Sequence, residues 1–376
     1  MPYYIPQEIL DIIIGYASAT SDGPCFSNYA VSHTFVLPYK FRSLSFKGWA
    51  MYTNDRDTID IVNGAMVIPI PKFFEAINAG DGHALSLVSL VQELNFKKWR
   101  AIGFLRDTFE KIFSSLGVTF QNLTKLSMER CFISSVIMEQ LGRLVQLESL
   151  HTLCCKDDTY VEDNLKLDNV SCGALSNLKY LHTLKCVENW WSLSFERHLA
   201  CIPMKNLRIL KSSDMAVTKA FLTTEPPVQL KELCLNHSSF DFDNYSLLWH
   251  YLARVTSLTH LSLPHLRPPD DPPSLIFAFQ ELQYLEVHVA LAPSFADQPM
   301  KEMKIDVNKL TASPRLGLAV VELVRHHWQG IVFPHVQYLE TNLSYELDSI
   351  PFGFWRKFLL NVKKVEWHVS YSRSGT

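Results

Sequence analysis

The sequence predicts an α/β solenoid, with parallel strands along a concave side and helices along a convex side. Three observations carry that reading. A stretch from Leu144 to Cys155 returns 31 residues later as Leu175 to Cys186, with Leu-His-Thr-Leu identical in both copies. A leucine frame at relative positions 1, 4, 6 and 9 runs through both copies and recurs along most of the chain. The segments between copies, such as Cys131 to Arg143 and Tyr245 to Val255, space their apolar residues as a helix does.

Counted from Leu147 and Leu178, the two copies place Leu147, Leu150, Thr152, Cys155 and Leu178, Leu181, Thr183, Cys186 in the frame. Further units start at Val91, Leu123, Leu207, Leu230, Leu258 and Leu282, with weaker ones at Val336 and Val362. Met300 to Ile305 is the candidate for a degraded unit in the long gap after Leu282. Periods of roughly 20–29 residues with L-x-x-L-x-L-x-x-N/C are the signature of leucine-rich repeats. Positions 4 and 6 point inward from a short strand, and position 9 turns a small group such as Cys into the core. Stacked units then bury a continuous core that no single unit could form.

The N-terminus follows a different pattern. Ile9, Ile12, Ile13 and Tyr16 make one apolar stripe of a short helix, Leu10 and Ile14 a second, and Pro6 sits near its first turn. A helix apolar on two sides needs cover from two sides. Ile5-Pro6-Gln7-Glu8-Ile9, then Ala30-Val31-Ser32-His33-Thr34-Phe35, then Phe41-Arg42-Ser43-Leu44-Ser45-Phe46, together resemble the F-box-like start of many fungal F-box proteins. The resemblance implies a small helical bundle docking on a Skp-type adaptor and, through it, a cullin. It also implies that Ile5, Pro6, Ile9, Leu10 and Ile13 supply the first-helix contacts, with Val31 and Phe35 from the second. The expected organisation is a helical head over residues 1–46, a connecting region over 47–84 and the repeat array over 85–376.

Composition narrows the function classes. The chain has 376 residues, 47% of them hydrophobic, and a formal net charge of −3. That is enough apolar content for a large core, and without a long basic run it offers no footprint for nucleic acid or an anionic membrane surface. No apolar run reaches the roughly 18–20 residues of a membrane span. Glu8 and Asp11 interrupt the apolar N-terminus and no Lys or Arg precedes it, which argues against a secretory signal. Eight cysteines without a C-x-x-C, several at one repeat position, read as small buried hydrophobes in a reducing compartment. The expected location is cytoplasmic and/or nuclear.

No phosphate loop, G-x-S-x-G or H-E-x-x-H is present in the sequence. His326-His327 is the best metal-like pair, but neighbouring helical side chains diverge by about 100° and no third ligand lies at zinc spacing. No catalytic residue, metal or cofactor is therefore expected. The chemistry should lie on the concave face, where positions 3, 5 and 7 point to solvent. In the frame above these include His151, Leu153, Tyr180, His182 and Leu184, with Tyr284 and Tyr338 further on. Aromatic, His and aliphatic groups of this kind suit recognition of a protein partner.

Joined to the resemblance, this implies a substrate-recognition subunit of a Skp–cullin–F-box ubiquitin ligase that holds an unknown target protein on its repeat surface. A second reading is a non-catalytic repeat scaffold that no longer binds the adaptor. An enzyme with an unrecognised site is a third.

Overall fold

The computed structural model describes residues 42–47, 61–62, 65–66, 72–97, 113–157, 173–189, 198–199, 201–236, 242–264, 266, 277, 279–306, 316–341 and 352–367. The chain divides into two compact units, Met1–Tyr180 and Leu181–Thr376. Ile5, Pro6, Ile9, Leu10, Ile13, Val31 and Phe35 lie outside the described residues.

The first unit contains strands β1 (Ser43–Lys47), β2 (Glu93–Lys97), β3 (Lys125–Glu129) and β4 (Ser149–Leu153), paired parallel in that order. The second contains β5 (Thr183–Val187), β6 (Ile209–Ser212), β7 (Glu232–Leu235), β8 (His260–Leu263), β9 (Tyr284–His288), β10 (Glu302–Asp306), β11 (Tyr338–Thr341) and β12 (Lys364–Trp367). These too are parallel, each paired with the next. Parallel neighbours require a crossover, and the inter-strand segments supply it. They include helices α1 (Lys72–Asn78), α2 (Gly82–Val88), α3 (Leu116–Thr119), α4 (Ser135–Gly142), α5 (Met215–Leu222), α6 (Phe242–Leu252), α7 (Leu316–His327) and α8 (Phe352–Trp355). Others cross by 3-10 turns, as at Met204–Asn206 and Ala292–Phe295. No described helix is long and apolar enough to cross a membrane.

Register ties the strands to the sequence frame. Leu94, Leu126 and Leu150 are partners in the first unit, and Leu210, Leu233, Leu261, Leu285, Met303 and Leu339 follow one another in the second. All nine are essentially inaccessible, at 1% or less. Full burial of such a side chain contributes about 1.5–3 kcal/mol, so in each unit this row is the spine of its core. Met303 and Ile305 occupy positions 4 and 6, so the degraded unit is a full strand of the sheet.

A second regularity is set by hydrogen bonds. The carbonyl at position 2 accepts two successive N–H groups from the next unit: Gln92 O from Thr124 and Lys125, Lys231 O from Thr259 and His260, Lys301 O from Gln337 and Tyr338. At position 9, the Cys131 thiol donates to the Phe96 carbonyl at 3.4 Å and the Cys155 thiol to the Met128 carbonyl at 3.2 Å. Position 8 is left-handed in three units, at Arg130, Cys154 and Glu188, with φ of 54°, 52° and 52°. That conformation costs roughly 1–2 kcal/mol for a residue with a Cβ. In return it turns position 9 inward.

These three markers correct the second opening copy. Leu210 pairs with Leu184, and Ser212 with Cys186. His182 O accepts from Arg208 and Ile209, which makes His182 a position-2 residue, and Glu188 takes the position-8 conformation. The unit therefore reads Leu181, Leu184, Cys186, Asn189, three residues beyond the expected frame. The shared Leu-His-Thr-Leu occupies positions 4 to 7 in one unit and 1 to 4 in the other. Leu178, Leu181 and Leu184, three apart, satisfy both frames in sequence; packing admits one.

The array also begins earlier than expected. β1 falls within the segment assigned to the head, and Leu44 and Phe46 pair with Leu94 and Phe96. The stretch read as a joint is the crossover from β1 to β2. Its helix α1 ends at a glycine: Gly80 has φ 75°, its N–H reaches Ile77 O, and the Asp81 N–H reaches Ala76 O. This is a Schellman closure, after which Asp81 caps α2 through the Ala84 N–H at 2.7 Å.

Caps elsewhere follow the same logic. Asp214 precedes α5 and accepts from the Val217 N–H at 3.0 Å. Burial raises its carboxyl pKa above the usual value, although the Val217 and Ala216 N–H groups favour the anion. A raised folded-state pKa contributes stability fully present below the unfolded pKa and lost as pH rises through the folded one. Asp214→Asn keeps an acceptor without the charge, so its unfolding midpoint should fall less with pH than that of the wild type. Asp214→Ala should cost about 0.5–2 kcal/mol in urea denaturation.

Candidate functional site

On the second unit, the side of the sheet opposite the leucine spine carries positions 3 and 5. Register sets position 3 as the row His260, Tyr284, Glu302, Tyr338, Lys364. Position 5 is the row Cys234, Ser262, Glu286, Lys304, Glu340, Glu366. Parallel strands lie about 4.7–4.9 Å apart, so each side chain stands within reach of its neighbours along the row.

The position-5 row is a connected polar chain. Ser262 Oγ donates to Glu286 Oε2 at 2.5 Å. Lys304 Nζ lies 3.1 Å from both Glu286 and Glu340. Burial alone disfavours the Lys304 charge, but hydrogen bonds and the charges of Glu340 and Glu286 outweigh it and raise its pKa. Lys364 pairs with Glu366 on the same strand. At the other end, Lys211 meets Glu232 at 2.5 Å. Burial raises the Cys234 thiol pKa, which disfavours the thiolate a nucleophile needs. Partly exposed pairs of this kind contribute about 0–1 kcal/mol each, so they fix side-chain positions more than they stabilise the fold.

Position 3 supplies the aromatic groups. His260 stacks on Tyr284 with ring centroids 5.8 Å apart. Burial and the surrounding carboxylates, Glu286 first among them, push the Tyr284 hydroxyl pKa up, so the ring stays neutral. Tyr338 is 45% exposed, which leaves much of its ring open to solvent. Both tyrosines line a pocket of about 200 Å³, together with Glu302, Lys304, Glu340, Lys364 and Glu366 and with Met303 and Leu339.

The structure distributes the sequence-predicted face residues unevenly. Tyr284 and Tyr338 share the position-3 row. His151 and Leu153 take positions 5 and 7 of β4 in the first unit, both half-buried. The frame shift moves the others. Leu184 is fully buried at position 4, so its assignment to the open face is overturned. His182 directly precedes β5, at position 2, with its ring Nδ1 3.1 Å from Thr183 Oγ1. Tyr180, 61% exposed, precedes the strand in a turn and does not stand on the face. Thr183, Lys185 and Val187 hold positions 3, 5 and 7 there instead. Glu302 and Lys304 were missed because their unit has Met for Leu; reading Met at positions 1 and 4 would have found them.

His326 and His327 end α7 with ring centroids 5.0 Å apart, and burial lowers the His327 pKa. No group of three metal-capable side chains occurs among the described residues.

No family model and no curated protein matches the chain. Among solved structures, it is similar to a chain in the octameric complex of Latrophilin 3, Unc5D and FLRT2, with 18% identity over 77% of this chain and 79% of that one, at TM-score 0.34. It is also similar to a leucine-rich-repeat protein of Leptospira interrogans, with 16% identity over 76% and 86% and TM-score 0.31. A third similarity is to a chain of the TLR13–ssRNA13 complex, with 16% identity over 74% and 50% and TM-score 0.27. At TM-scores of this size the likeness decides nothing about overall shape or partner. The repeat assignment stands on the register and on the position-2, position-8 and position-9 markers.

Proposed function

We propose that the chain is a non-catalytic recognition subunit that binds a protein partner on the open face of its repeat strands. One observation carries this reading: the row Tyr284, Glu302, Tyr338 over the pocket on β9 to β12, where aromatic rings and charges stand on a rigid sheet. Rigid aromatic anchors beside placed charges are what protein interfaces use for affinity and register. Proximity labelling in cells under proteasome block, comparing wild type with a Tyr284→Ala plus Tyr338→Ala variant, tests it. Partners held by this face should drop out of the labelled set. An unchanged set would sink the reading.

The finer proposal is that the partner is a target for ubiquitin transfer in the cytoplasm and/or nucleus. The chain would hold the target near a charged enzyme and supply proximity, with no covalent chemistry of its own. The resemblance of residues 3–46 to F-box-like segments supports it, with a Skp-type adaptor and a cullin as further partners. Purified adaptor should be captured by the wild-type chain, and Ile9→Asp plus Ile13→Asp should abolish capture while the circular dichroism of the array stays unchanged. A wild-type chain that never captures adaptor would leave the scaffold reading in its place.

A further inference from the structure

We propose that the pocket lined by Tyr284 and Tyr338 takes an arginine side chain from a basic segment of the partner. This rests on the protein-recognition reading above and names the chemistry of its site. Register places Glu302 between the two tyrosines, on the strand that separates theirs. Two strand spacings, roughly 9–10 Å, therefore separate the tyrosine Cα atoms and leave room for one side chain above Glu302.

The charges around the pocket are already assigned, except one. Lys304 is held by Glu286 and Glu340, and Lys364 by Glu366. The Glu302 carboxylate, exposed in the same pocket, makes no ion pair or hydrogen bond among the described residues. Counting the lining, Glu302, Glu340 and Glu366 exceed Lys304 and Lys364 by one negative charge. A site lined by two tyrosines and one unmatched carboxylate is complementary to a planar cation. Guanidinium stacks on aromatic faces and forks onto carboxylates, which an ammonium does less well. A neutral or acidic side chain would leave Glu302 unmatched.

The test is fluorescence anisotropy of the purified full chain with a labelled Gly/Ser peptide carrying two arginines. Matched peptides carry lysine, citrulline or glutamate instead. The arginine peptide should bind, the lysine peptide several-fold more weakly, and the citrulline and glutamate peptides at least tenfold more weakly. Glu302→Gln should weaken arginine binding by about 2–5-fold, and Tyr284→Ala plus Tyr338→Ala by about 3–30-fold. Tyr284→Phe plus Tyr338→Phe keeps both rings and should retain it, which separates loss of the cage from loss of fold. Glu93→Gln, on the first unit, should change nothing; an equal loss there would mean only general attraction to an acidic protein. Citrulline binding as well as arginine, or an unaffected Glu302→Gln, overturns the inference. If arginine peptides fail yet the tyrosine double-alanine variant still loses labelled partners, the inference falls and protein recognition stands. If both fail, both fall.

Discussion

Trp328→Ala is expected to cost the second unit about 3–5 kcal/mol. Trp328 follows α7 and is fully buried. Its indole N–H donates to the Val289 carbonyl at 2.9 Å, tying the end of the helix to the end of β9. Its ring lies 4.7 Å from Phe333, 5.6 Å from Phe358 and 6.2 Å from Trp355, centroid to centroid. Truncation opens a cavity in that aromatic cluster and orphans the Val289 carbonyl, for which an unsatisfied buried group adds about 1–3 kcal/mol. Trp328→Phe keeps much of the volume but not the donor, so it should fall between the two. Urea unfolding measures both. In a repeat array the loss should concentrate in the neighbouring units, so hydrogen exchange should accelerate first around β9 to β12. A midpoint for Trp328→Ala within 1 kcal/mol of wild type would contradict this packing.

The second large effect separates two frames. Leu184 is fully buried in the position-4 row, so Leu184→Ala should cost about 2–5 kcal/mol. Leu153, half-buried at position 7, should cost about 1 kcal/mol or less. The sequence frame gives these residues the same position and predicts equal, small effects. Thermal or urea melts of the two variants decide between them; equal losses would restore the sequence frame.

Much of the fold was legible because its signal is periodic and redundant. Leu126, Leu210, Leu233, Leu261 and Leu285 each occur with their position-1 and position-6 companions, so an error in one unit could not hide the rest. The degraded unit at Met300 was legible for a related reason, since its gap was about two periods long. Units without a leucine at every frame position were harder. β1, built on Leu44 and Phe46, was absorbed into the head because its residues also fitted that pattern. Tyr284 and Tyr338 were found as open-face residues because their units were framed correctly. Their pocket was not, because it depends on Glu302 from a strand whose frame uses methionine and on a fourth strand carrying Lys364 and Glu366.

By itself the sequence determined that strands recur, that their leucines share the core side, and that cysteine can turn the chain at position 9. Those follow from spacing alone, since a period-2 strand fixes which residues share a side. Tertiary structure decided the register of each strand against the next. Leu178, Leu181 and Leu184 differ only in which neighbour they meet, and Leu210 meets Leu184. A shift of three residues in one strand reverses which side chains face the core, because three is odd and the strand repeats every two. That physical fact buried Leu184 and moved His182 and Tyr180 off the face, while Tyr284, Glu302 and Tyr338 stayed together in the position-3 row.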